Sequence, residues 1–227
     1  MGHVRRTLVG AVVALAAAAT LPTTASAAVT LQPGAYHETD AGSCTLNFAY
    51  SGNGKTYLGT AAHCVESLGQ RVRDIEGTEF GSVAFIGDES TTEWDFAFIE
   101  VDAEDLGRVS PAVKGHPAFP RGSTTPAETL TGDAIQLSGY GLGYGTTPTT
   151  QEQRRAVMGF DDAELYTVTG PIHWGDSGGP LVHIGTGKAL GIVSRLCAGA
   201  CSEEGPTVQG ILAKAASRGF TVTLRTV

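Results

Sequence analysis

After Leu21 the sequence has no apolar run approaching the roughly 20 residues that a membrane-spanning helix needs, so a helical span beyond that point is excluded. It has no basic stripe either. Lysine and arginine number 15 against 23 acidic residues, a formal charge of −8 at pH 7. An acidic surface repels phosphate backbones, so no nucleic-acid partner is expected. There is no HExxH string. Of the four cysteines only Cys197 and Cys201 lie close in sequence, whereas a zinc site usually shows two close Cys/His pairs; no metal is expected. Internal repeats and long charge runs are missing, and helical periodicity is weak.

What is present begins with a three-part leader. Basic residues at Arg5 and Arg6 precede an apolar stretch from Leu8 to Leu21, and the small residues Ala25-Ser26-Ala27-Ala28 follow Pro22. The pattern predicts a secretory signal peptide over 1–27, cut after Ala27, with a retained N-terminal anchor as the alternative. Arg5 and Arg6 are the only charges in that segment, so its loss leaves 200 residues with 13 basic and 23 acidic side chains, a net −10. That length suits one large domain or two small β-barrels packed together. In an exported chain an even cysteine count favours disulfides, and Cys44, Cys64, Cys197 and Cys201 allow three pairings.

Strand signals dominate the rest. Thr45–Tyr50 and Thr56–Gly59 flank Ser51-Gly52-Asn53-Gly54-Lys55 and predict a hairpin. Further strands are expected at Ser82–Ile86, Phe96–Val101, Ala134–Ser138, Arg155–Phe160, Leu165–Val168, Pro180–Ile184, Ala189–Ser194 and Val208–Leu212. Their short, regular spacing argues for an all-β barrel or sandwich rather than βαβ units. Ala61–Val65 reads as a single turn, Ala213–Arg218 as a short helix and 141–150 as a loop. The Pro- and Gly-bearing stretch near 115–132 reads as a connection between two halves.

The stretch His173-Trp174-Gly175-Asp176-Ser177-Gly178-Gly179-Pro180 sets one serine among glycines. Its G-x-S-x-G string matches the elbow of α/β-hydrolases, but there the acid and the histidine follow the serine. Here no aspartate follows Ser177, and the one later histidine, His183, lies within an expected strand. Upstream, Thr60-Ala61-Ala62-His63-Cys64 places a histidine after a strand, and Trp94-Asp95-Phe96-Ala97-Phe98-Ile99 places an acid at the head of one. A serine hydroxyl is a poor nucleophile until an imidazole takes its proton, and a buried carboxylate orients that imidazole. N–H groups of a glycine-rich turn can then hold an oxyanion. His37, His116 and His183 carry no assigned chemistry. Asp74, Glu76 and Glu79 read as a solvated acidic turn, since their spacing matches no calcium loop.

Together, TAAHC at 60–64, DFAFI at 95–99 and GDSGGP at 175–180 resemble the signature segments of trypsin/chymotrypsin-like serine proteases, in a secreted, bacterial-type form. The resemblance runs from about Cys44 to about Leu212. It implies two antiparallel six-stranded β-barrels packed face to face, with N- and C-terminal halves at about 28–120 and 121–227. It implies His63 as general base and then acid, Asp95 as its orienting group and Ser177 as nucleophile. The amides of Gly175 and Ser177 would form the oxyanion hole. Ser194 matches the serine beside the buried acid, at the start of the strand that binds substrate backbone. By the same likeness Cys44 pairs with Cys64, and Cys197 with Cys201 beside the specificity pocket.

The activity implied is that of a serine endopeptidase without a cofactor. A catalytically silent binding protein of the same fold and a glutamyl-specific subtype are the alternatives. A monomer acting on protein or peptide substrates, free of the membrane after signal cleavage, is expected.

Three positions depart from the pattern. Pro171 stands where trypsins carry their pocket aspartate, so a trypsin-like preference is not expected. Arg195 replaces an aromatic residue, and His173, four residues before Ser177, could favour acidic side chains; both are assigned to substrate binding. No Arg-Ile-Val-Gly-Gly activation site precedes Cys44, so Asp176 needs a partner other than a freed N-terminus, for which an arginine is the expectation.

Overall fold

The computed structural model describes Gly2 and residues 28–141, 152–197 and 201–227. The expected signal segment, Gly2 apart, and the expected loop at 141–150, Gly141 apart, lie outside the described residues.

Among the described residues, fifteen strands form two antiparallel sheets. The first sheet holds β1 (Tyr36–Thr39), β2 (Gly42–Thr45), β3 (Ala49–Gly52), β4 (Lys55–Thr60), β5 (Arg71–Arg73), β6 (Glu79–Ile86) and β7 (Ala97–Val101). The second holds β8 (Ala134–Gly139), β9 (Glu152–Asp161), β10 (Leu165–Thr169), β11 (Pro180–His183), β12 (Lys188–Ile192), β13 (Arg195–Leu196) and β14 (Glu203–Pro206). The last strand, β15 (Thr223–Leu224), returns to the first sheet and pairs with β3. Strand orders are β15-β3-β4-β7-β6-β5-β1-β2 and β12-β11-β8-β9-β10-β14-β13. The all-β, chymotrypsin-like class holds, with eight and seven strands rather than six each. The excess arises from two-residue strands such as β13 and β15, which leave almost no periodicity to read.

Local chemistry explains the elements that position the site. β3 and β4 are joined through Asn53 and Gly54, at φ 51° and 74°. Two consecutive positive φ values are what a tight hairpin turn with the twist of its strands requires, and Asn-Gly supplies them cheaply. Along β9, Arg154, Ala156 and Met158 are buried while Gln153, Arg155 and Val157 face out, the period of two that a half-buried strand imposes. Leu46, Leu58, Phe80 and Ile99 fill the first sheet's interior, and Ile135, Leu137, Tyr166 and Leu181 the second's. Phe48, Tyr50, Phe96 and Phe98 pack with Val182, Ile192 and Ile211 to cement one half to the other.

The strand expected at Val208–Leu212 is instead the start of α1 (Val208–Ser217). Thr207 caps it, its hydroxyl accepting the Gly210 N–H at 3.0 Å. Val208, Ile211 and Ala215 are buried at helical spacing, a pattern hidden in a short apolar run. In the acidic turn Glu76 and Glu79 are exposed as expected, but Asp74 is not. Asp74 is buried, accepts the amides of Glu76 and Thr78, and pairs with Arg108. A short carboxylate that closes a turn on its own backbone needs no water. Both expected disulfides form, Cys44–Cys64 and Cys197–Cys201, and among the described residues no cysteine is free.

Candidate active site

His63 sits in the single helical turn Ala62–Cys64 that follows β4, with its side chain about one-third exposed. Asp95, fully buried, stands just before β7. The two meet because β4 and β7 are neighbours, with Thr60 opposite Ala97. Asp95 Oδ2 lies 2.8 Å from His63 Nδ1, and Oδ1 accepts the His63 N–H at 3.0 Å. Ser194, from the second sheet, donates its hydroxyl to Oδ2 at 2.5 Å. Burial alone would raise the Asp95 pKa. The hydrogen bonds from the His63 ring, the Ser194 hydroxyl and the His63 amide outweigh it, and the carboxyl is held below its ordinary value. A carboxylate bound in this way fixes the imidazole ring by two contacts and presents Nε2 outward.

Ser177 occupies the loop between β10 and β11 and lines the same cleft as His63, a cavity of about 450 Å³. Among the described residues no hydrogen bond joins Ser177 Oγ to the imidazole; such bonds often tighten only when substrate is bound. The glycines around the serine are dictated by space. Gly178, at φ +81°, lies so close to the first sheet that a Cβ there would meet Thr45 O and Thr60 Oγ1, each at 2.5 Å. Gly175 is at φ +97°. The Ser177 carbonyl accepts the Thr45 N–H at 2.9 Å, and the Gly175 carbonyl the Thr45 hydroxyl at 2.8 Å. Among the described residues the N–H groups of Gly175 and Ser177 have no protein acceptor.

The partner of Asp176 is an arginine, Arg154 of β9. Asp176 is fully buried and also accepts the amides of Gly141 at 2.8 Å and His173 at 2.9 Å. Arg154 additionally donates to the Pro171 carbonyl at 2.8 Å, so one guanidinium pins both ends of the 171–176 loop. A Cβ on Gly139 or Gly141 would collide with the Asp176 carboxylate. The strand pattern places Arg154 indoors and Arg155 outdoors, a signal present in the sequence that does not by itself name the buried arginine's mate.

His173, Ser194 and Arg195 line the cleft. The sequence reading missed Ile172, Trp174, Leu196, Glu89 and Glu203, which line it too. Trp174 is 77% exposed at its mouth, and Glu203, at 1% exposure, is buried in it. The remaining histidines among the described residues have structural partners or packing. His37 is buried against Thr60, with burial pushing its pKa down to about 3. His183 bridges Thr186 and Asp133. His37, Cys44 and Cys64 cluster closely enough to hold a metal, but both sulfurs are committed to a disulfide and offer no thiolate.

A family profile described as the trypsin-like peptidase domain matches residues 42–192. No curated protein sequence matches the chain with significance. Among solved structures, it is similar to a glutamic acid specific serine protease, described as using a histidine triad in substrate binding. That likeness has 19% identity and a TM-score of 0.61, over 86% of this chain and all of the other. Protease A of Thermobifida fusca is 22% identical, with a TM-score of 0.60 over 88% of this chain and all of the other. An alpha-lytic protease homolog, N4, is 18% identical, with a TM-score of 0.56 over 87% of this chain and all of the other. At these identities the likenesses speak to fold alone, whereas the profile spans well over half the sequence. The chain belongs to the trypsin-like peptidase family.

Proposed function

We propose that the protein is a secreted serine endopeptidase that hydrolyses peptide bonds through an acyl-enzyme. The observation that carries this reading is the shared cleft: His63 from the first sheet and Ser177 and Ser194 from the second line one cavity, with Asp95 bound behind the imidazole. Ser177 Oγ attacks the scissile carbonyl while His63 Nε2 takes its proton. Asp95 holds Nδ1–H and stabilises the imidazolium. The Gly175 and Ser177 amides receive the oxyanion. His63 then protonates the leaving amine, the C–N bond breaks, and water repeats the sequence to release the acid and regenerate Ser177. Residues 1–27 act as the export signal. Cleavage after Ala27 exposes Ala28 as the mature N-terminus. Activation needs no freed amine, because Arg154 neutralises Asp176 from within the chain.

Two measurements test this. A serine-directed phosphonate should label the folded protein at Ser177, mapped by mass spectrometry, and casein should be degraded. Folded protein that is neither labelled nor proteolytic would instead be a binding protein on a peptidase scaffold. Labelled protein that cleaves a small ester but not casein would be an esterase. Asp95→Asn is expected to lower kcat on the order of 10⁴, the loss found when the orienting acid of a Ser-His-Asp set becomes an amide. Steady-state kinetics on a peptide substrate would show it, and an unchanged kcat would assign the orienting role to another acid.

A further inference from the structure

Glu203 and Glu204 are adjacent on β14 yet point to different worlds. Glu204 reaches outward to the Thr92 hydroxyl at 3.1 Å. Glu203 is 1% exposed and lines the cleft beside Ser177. Its Oε1 accepts the Ser194 N–H at 2.5 Å, and the Arg195 amide donates to the same carboxyl. Two donors occupy two of the four lone-pair directions of a carboxylate, which leaves it room to accept from a ligand. The walls on the way in are apolar, from Ile172, Val193 and Leu196. The cleft's own cation is turned away from the base: Arg195 Nη1 reaches the Ser90 carbonyl at 3.4 Å, and the side chain lies within electrostatic reach of Asp88.

We infer that Glu203 is the specificity determinant of this peptidase and selects a basic side chain, arginine or lysine, on the acyl side of the scissile bond. The inference rests on the function proposed above. An apolar-walled slot ending in a carboxyl fits a long aliphatic stem carrying a cation at its tip, and it disfavours an acidic side chain by charge and an apolar one by leaving the buried acid unpaired. The carboxylate comes from β14 and not from the 171–176 loop where Pro171 stands, so the position of the acid rather than its presence separates this pocket from the trypsin arrangement.

The empty pocket adds a second signature. Burial pushes the Glu203 pKa up to about 9 against the amide hydrogen bonds that lower it, with Asp95 and Glu204 adding repulsion. The titratable or charged groups facing it are Asp95 behind Ser194, Tyr166 from β10, Glu204 on its own strand, and His63, Glu89, His173 and Arg195 around the cleft. A bound guanidinium must draw off the Glu203 proton, and that step becomes easier as pH rises toward 9.

The test is a peptide library cleaved by the mature enzyme, with sites read by mass spectrometry, followed by kinetics on matched arginine and leucine substrates. Cleavage after arginine and lysine is expected, with the arginine-to-leucine ratio of kcat/KM rising between pH 6 and 9. Glu203→Gln should cut that ratio by about 100-fold, as loss of one partner of a buried charge pair does. In the wild-type enzyme, benzamidine should inhibit competitively while neutral benzamide does not, a comparison that stands even if the variant fails to fold. Cleavage mainly after acidic or apolar residues, or a ratio unmoved in a folded Glu203→Gln, would overturn the assignment while phosphonate labelling of Ser177 leaves the peptidase reading intact. Absence of both labelling and cleavage would remove that reading and this inference with it.

Discussion

Ser177→Ala is expected to reduce kcat by about six orders of magnitude, the scale on which loss of the nucleophile disables a serine hydrolase. The whole effect falls on the chemical step. Without Oγ no ester can form, His63 has no proton to accept from the enzyme, and only the oxyanion site and substrate positioning remain; together these leave roughly 10³–10⁴-fold over water. The fold should be indifferent. The Ser177 side chain makes no hydrogen bond among the described residues, and the contacts that hold the loop run through its carbonyl and through the glycines beside it. Thermal melting should therefore match the wild type to within about 0.5 kcal/mol, as for substitutions that touch no structural feature. A variant that keeps more than a few per cent of wild-type kcat would mean that another group attacks the substrate.

Arg154→Met should act in the opposite way, through structure first. It removes the guanidinium from a fully buried carboxylate and leaves Asp176 with only the amides of Gly141 and His173. Stranding a buried charge costs about 3–5 kcal/mol, much of a small domain's stability. Denaturant unfolding should show that loss. Arg154→Met with Asp176→Asn should recover a large part of it, because the stranded charge is gone; this coupling separates an ion pair from mere packing. Activity should drop as well, by about 10²–10³, since Gly175 and Ser177 flank Asp176 and a displaced turn withdraws an oxyanion donor. Full stability and full activity in the single variant would show that Asp176 is neutralised by something else.

How much of this was legible depended on distance along the chain. The hairpin at Asn53-Gly54 and most strands are short-range patterns, and the sequence carries them. His63, Asp95 and Ser177 could be singled out because three strings in order resemble one family, not because spacing reveals proximity. The helix Val208–Ser217 was half missed because Val208, Ile211 and Leu212, the three apolar side chains in the five residues after Thr207, fit two periods. The strand β2 was missed because Gly42 and the small side chains beside it erase alternation, and β1 because its buried positions are the polar His37 and Thr39. The need for a charge opposite Asp176 was readable; that Arg154 and not Arg155 meets it depends on which face of β9 turns inward. Glu203 was invisible, because two neighbouring glutamates look alike until a strand turns one toward Thr92 and the other beneath Ser194.

The pairing of Thr223–Leu224 with β3 carries a consequence for the order in which the molecule can be built. Arg225 N–H also reaches the Ala49 carbonyl at 2.8 Å, and Val227 N–H the Pro120 carbonyl at 3.1 Å. The half of the protein that is synthesised first therefore has a vacant sheet edge until residues 223–227 arrive. Its completion is a long-range event of the kind that slows folding, and a segment that follows the second half in sequence fastens it to the first.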